Sequence, residues 1–168
     1  MIEGLAVGLA LVCVPDAASA KTKHSAPADL RRFIEVTRSL EQAPLGESAS
    51  ENREWALAWL TEAPDVSVTL CTDALGGMDD GEYPHTAEII LQDSFAMGAF
   101  AIEHPDKAND PEAQQLAGVE GALNAYRSIL RDRPEAKSAF LDKLLQTRAE
   151  GGLGDHVRQA LVRCSAKK

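Results

Sequence analysis

The sequence predicts an all-α protein, a single-domain bundle of about six helices laid out as an array of helical hairpins. Three observations predict it. Apolar residues return at helical spacing through most of the chain, as in Leu30, Phe33, Ile34, Thr37 and Leu40. Proline and glycine punctuate those stretches where helices would start or stop: Pro27, Pro44, Gly46, Pro64, Pro84, Pro111, Pro134 and Gly151. Aromatic residues are only 5% of the chain while Ala and Leu are heavily used, a bias toward helix and away from sandwiches or barrels rich in Val, Thr and Tyr. With 168 residues, 45% of them hydrophobic, the chain suffices for one core and is short for two.

The first element is read as a targeting segment. Gly4 to Val14 is a small and apolar run, and Ala18-Ser19-Ala20 has the small-x-small form of a signal-peptidase site, so residues 1–20 are expected to be a secretory signal cleaved after Ala20. The run is about half the length that a spanning helix needs, so no stable membrane insertion is expected once the signal is removed. Met1-Ile2-Glu3 lacks the positive charge usual in such signals, and Val12 is too bulky for a lipidation site at Cys13. Cleavage removes Glu3 and Asp16 and takes the formal charge from −9 to −7. It also leaves two cysteines, Cys71 and Cys164, which an oxidising compartment would pair as one disulfide.

Residues 21–26 read as a flexible leader and 27–168 as the all-helical domain. Pro27 suits a first helical turn, and the helix it opens sets Arg31, Arg32, Glu35, Arg38 and Glu41 opposite its apolar face. Ser48-Ala49-Ser50-Glu51 has the form of a capping box and opens a second helix carrying Trp55 and Trp59, which ends at Pro64. Residues 65–78 are ambiguous, since Val66, Val68 and Leu70 alternate as in a strand while Val68, Cys71, Leu75 and Met78 fit a helical stripe. With no second strand in sight, we expect a helix capped by Asp65, followed by an acidic loop, residues 76–83.

The centre of the bundle is expected at two consecutive helices, Pro84 to His104 and Pro111 to Arg131. The first is apolar almost all round, through Ile89, Ile90, Leu91, Phe95, Met97, Phe100 and Ile102, which suits a helix enclosed by neighbours. Small residues step along both, Ser94, Gly98 and Ala101 on one and Ala113, Ala117, Gly121 and Ala125 on the other, so close backbone approach is expected. Pro134 should open the next helix, which Gly151-Gly152 ends, and Asp155 the last, placing Cys164 inward. Ala122, Tyr126, Ile129, Leu130 and Pro134 resemble the second-helix half of a tetratricopeptide repeat. The first-helix signature of that repeat is not matched and no second copy follows, so the stretch is read as an ordinary helical hairpin.

Composition and motif exclude several functions. Acidic residues number 26 against 17 basic, which argues against a nucleic-acid partner, whose phosphates need clustered cations. No phosphate-cradling glycine loop, Gly-x-Ser-x-Gly turn or His-Glu-x-x-His helix occurs. The best metal set is His85 and Glu88, one helical turn apart, with Asp80 from the acidic loop. Gln92, Asp93 and Glu120 are polar groups within the packed central pair, where burial would raise a carboxyl pKa, although a structural role is the simpler reading. The expectation is therefore an exported, non-enzymatic binding or accessory module, periplasmic or secreted and without a cofactor, for a protein or small-molecule ligand. Its candidate ligand groove involves Trp55, Trp59, Gln92 and Glu120. The competing reading is a metal-binding protein or enzyme using His85, Glu88 and the acidic loop.

Overall fold

A computed structural model describes residues 24–76, 78 and 83–167. The targeting segment and Asp80 lie outside these residues. The described chain forms six α-helices: α1 (Pro27–Gln42), α2 (Ala49–Glu62), α3 (Thr86–Glu103), α4 (Pro111–Asp132), α5 (Ala139–Ala149) and α6 (Leu153–Ala166). Two short 3-10 turns, Thr72–Leu75 and Pro105–Lys107, lie between helices, and no strand occurs among the described residues. The expected all-α bundle is thus the fold observed.

The α3–α4 hairpin is the framework. Asp110 caps α4 by accepting from the amides of Glu112 and Ala113, both at 3.1 Å, and Pro111 occupies the first turn, where its missing amide hydrogen costs nothing. α3 is enclosed as its composition demands, since Ile89, Phe95, Met97 and Ala99 are fully buried. The core divides around this hairpin. Phe33, Val36 and Leu40 of α1 pack with Ala56 of α2 and with Phe95 and Ala99 of α3. The larger part joins Val119, Leu123, Tyr126 and Ile129 of α4 to Leu141 and Leu144 of α5, Val157 and Ala160 of α6, and Leu75.

Glycines set the spacing of the hairpin. A methyl group at Gly121 would collide with the β-carbon of Ala96, and one at Gly118 would sit 2.6 Å from Asp93 Oδ1 and 2.8 Å from Met97 Cγ. Gly98, expected to serve the same contact, instead faces Phe33 and Leu60 of the α1–α2 layer. Both groups opposed at Gly121 are fixed to helix backbones and have no rotamer into which to retreat. Gly121→Ala should therefore lower stability by roughly 1–3 kcal/mol, despite the better helix propensity of Ala. Urea denaturation checks this, and an unchanged midpoint would mean the two helices can separate freely.

Four local expectations need correction. Residues 63–71 are neither helix nor strand but an irregular strap leading into the 3-10 turn. Its backbone is satisfied by side chains of α4: Gln114 Nε2 donates to Ser67 O at 3.2 Å, and the Cys71 amide donates to Gln115 Oε1 at 3.1 Å. The β-branched Val66, Val68 and Thr69 weaken any helical alternative. Asp65 caps no helix and accepts instead from Ser25, whose hydroxyl is the main cause of its lowered pKa. At α2 the capping box does not form: Ser48 adopts a helical conformation and makes no side-chain cap. Pro134 lies in a turn, and α5 waits for Ser138, whose Oγ accepts from the Leu141 amide. The Tyr126 hydroxyl secures that junction, accepting from the Ser138 amide at 2.9 Å and donating to Asp142 Oδ1 at 2.7 Å.

Cys71 and Cys164 are joined, with their sulfurs 2.08 Å apart. The bond ties the strap to α6, and two polar contacts reinforce it: His156 Nε2 lies 2.9 Å from the Ala74 carbonyl, and Lys167 Nζ donates to Asp73 at 2.7 Å. No helix among the described residues is long and apolar enough to cross a membrane.

Candidate functional site

The residues singled out by sequence do not assemble into one site. Trp55 and Trp59 stack with ring centroids 6.3 Å apart, Trp59 lies 4.5 Å from the ring of Phe33, and the Arg32 guanidinium covers Trp55 at 4.0 Å. The faces of both indoles are thereby largely spent on the α1–α2 contact. Gln92 is buried between α3 and α1, where Nε2 donates to the Thr37 carbonyl at 3.2 Å. Glu120 of α4 pairs with Arg148 of α5 at 3.0 Å.

At the start of α3, His85 Nδ1 is 4.0 Å from Glu88 Oε2, and Arg53 of α2 approaches Glu88 Oε1 at 3.9 Å. The charge of Glu88 is answered by a guanidinium. Among the described residues no group of three or more His, Cys, Asp or Glu is placed to hold a metal ion.

Two buried polar groups stand out near the α3–α4 contact. Asp93 is fully buried, and among the described residues its two carboxyl oxygens accept only from Gln115 Nε2, at 3.1 and 3.2 Å. Because Gln115 Oε1 already accepts from the Cys71 amide, the orientation of its amide is fixed and its hydrogens must face Asp93. Burial pushes the Asp93 pKa up to about 7, only partly opposed by that hydrogen bond. The hydroxyl of Thr37, also fully buried, has no hydrogen-bond partner among the described residues. Thr37→Val keeps its shape and removes an unpaired polar atom, so it should raise stability by about 1 kcal/mol in thermal denaturation. Destabilisation instead would reveal a partner for that hydroxyl.

A pocket with a strongly polar lining opens between the end of α1 and the last turns of α4. It measures about 420 Å³ and is lined by Glu41, Gln42, Asn124, Arg127, Ser128 and Arg131. Sequence reasoning put Glu41 with the polar face of α1, yet it is buried to 9% exposure, because it stands one turn beyond the buried Thr37, on the side of α1 that meets α4, while Arg31, Arg32, Glu35 and Arg38 stay exposed. Its carboxylate is held from two sides: Arg38 Nη1 donates to Oε1 at 2.8 Å and Asn124 Nδ2 to Oε2 at 3.1 Å. Asn124 is itself fixed, since its Oδ1 accepts from Arg148 at 3.1 Å. Arg131 reaches across the pocket and donates to the Gln42 carbonyl at the α1 terminus at 2.9 Å. Arg127 is exposed and makes no hydrogen bond or ion pair among the described residues.

The signal for this face was present in the sequence. Asn124, Arg127, Ser128 and Arg131 stand at helical intervals of three, four and seven, so they share one side of α4. The missing half is Glu41, which only the packing of α1 against α4 supplies. Chemically, such a lining binds and orients: guanidiniums stay charged at any working pH, and the amides and hydroxyl supply direction. Comparison with family models, curated proteins and solved structures finds no match to this chain.

Proposed function

We propose that this chain is an exported, non-enzymatic helical binding or accessory module, with its recognition site at the α1–α4 pocket. The observation that carries this reading is the pocket itself, of about 420 Å³, a volume suited to a small ligand and edged by Arg127, which has no polar partner among the described residues. Export is supported by the apolar run and Ala18-Ser19-Ala20 of the N-terminal segment, and by the Cys71–Cys164 bond, which persists in oxidising compartments such as the periplasm or the extracellular medium.

Native and denaturing mass spectrometry of protein exported from its own leader tests the proposal. The denatured mass should correspond to a chain beginning at Lys21 and lacking two thiol hydrogens. The native mass should carry a bound small molecule or partner. An uncut leader with free thiols would overturn export. A bare chain that stays bare through incubation with a metabolite extract would overturn the binding role.

A further inference from the structure

We infer that the α1–α4 pocket takes a small zwitterion with a carboxylate and an ammonium group on neighbouring atoms, the chemistry of a free α-amino acid. The inference rests on the reading of this pocket as the recognition site and adds the class of ligand.

The walls carry opposite charge. On the α4 side, Arg127 and Arg131 stand one turn apart with Ser128 between them on the same face. Arg131 uses one donor on the Gln42 carbonyl and another on Asp132, which leaves part of its five-donor fork free. On the α1 side stand the Glu41 carboxylate and the carbonyl end of the helix, which carries partial negative charge. Glu41 is ion-paired with Arg38 through one oxygen and accepts from Asn124 through the other, one hydrogen bond on each, so both oxygens retain accepting capacity.

A simple anion entering this pocket would gain the guanidiniums and meet Glu41 and the helix end. A simple cation would gain Glu41 and meet two arginines. A ligand carrying both charges close together satisfies both walls, its carboxylate on Arg127, Arg131 and Ser128 and its ammonium on Glu41. The formal charge of −9 on the whole chain makes a pair of arginines at one pocket rim a local exception, so it is not a by-product of a basic surface.

Arg127 supplies the clean variant, because it is exposed and Arg127→Ala breaks no hydrogen bond or ion pair among the described residues. Amide spectra of the full chain, titrated with L-alanine, acetate, methylammonium, glycylglycine and inorganic phosphate, test the inference. L-Alanine should give saturable shifts at residues 41–42 and 124–131. Acetate and methylammonium, each presenting one charge, should bind at least about tenfold more weakly. Arg127→Ala should weaken L-alanine about tenfold or more with an unchanged circular dichroism spectrum, and Ser128→Ala by a smaller factor. Acetate or phosphate binding as tightly as L-alanine would overturn the zwitterion in favour of a plain anion site, while leaving the binding module standing. Glycylglycine binding more tightly would overturn the free amino acid. No response from these residues to any probe would overturn the inference, and the module reading falls with it only when the native mass is also bare.

Discussion

Replacing both bridge cysteines, Cys71→Ser with Cys164→Ser, should lower the free energy of unfolding by about 4–5 kcal/mol, the largest loss expected from any change described here. The bridge joins residues 93 apart in sequence, so in the unfolded chain it closes a loop of most of the helical domain, and the entropy it removes grows with the logarithm of that length. The native state loses little by comparison, because Leu75, Val157 and Ala160 remain buried around the vacated sulfurs. Thermal denaturation of oxidised protein and of the variant should differ by roughly 10–20 °C for a chain of this size. A difference of only a few degrees would mean that the unfolded chain is already compact across this span.

Asp93→Asn should act in the opposite direction, and its effect should depend on pH. The folded protein holds the Asp93 carboxyl at a pKa of about 7, above its ordinary value of 3.8. The native state therefore binds the proton more tightly than the unfolded state. Stability contributed by this group is complete below pH 3.8, declines as the pH rises toward 7, and is lost above it. Over that interval the penalty approaches about 4 kcal/mol, the full value applying to a group that no water reaches. Asparagine keeps the shape and an oxygen for Gln115 while carrying no charge. Urea denaturation at pH 4, 6 and 8 should show the variant gaining progressively, by roughly 2–4 kcal/mol at pH 8 and little at pH 4. A constant difference across that range would show that Asp93 does not titrate within it.

Such a residue would be hard to retain for stability alone, and its surroundings specify it closely. Gly118 leaves room for its carboxyl group, and Gln115 is oriented toward it by the backbone of the strap. One chain of contacts thus runs from a carboxyl in α3, through a side chain of α4, to Cys71. That chain fixes the register of an irregular segment which has no ladder of its own.

Much of this was legible in the sequence, for identifiable reasons. α3 was recognisable because its apolar residues leave no polar face, and a helix of that kind has to be enclosed. The pairing of Cys71 with Cys164 followed from having two cysteines once Cys13 is set aside. Asp93 could be named as a carboxyl whose pKa would rise on burial, because it stands among apolar neighbours on that same helix. The strap at 63–71 was not legible, because its backbone partners are the side chains of Gln114 and Gln115, more than forty residues away, and no local pattern announces them. Glu41 was misplaced because it was grouped with the charged residues of α1, although it stands four residues beyond Thr37, on the side that α4 covers. The pocket then follows from that covering, since α4 contributes Asn124, Arg127, Ser128 and Arg131 from one face and α1 contributes the acid. Trp55 and Trp59 drew notice as large aromatics, whereas their stacking on each other, on Phe33 and beneath Arg32 shows how such rings can be absorbed by packing.

The span of the Cys71–Cys164 bridge also sets a timetable. Any machinery that makes or moves the chain from its N-terminus delivers Cys71 well before Cys164, with α3, α4 and α5 between them. The cross-link can be sealed only after α6 has arrived, so the α3–α4 hairpin has the opportunity to assemble while both thiols are still reduced. The bond then acts as a latch on a structure already formed, and a disulfide catalyst meeting this chain has a closing step to perform.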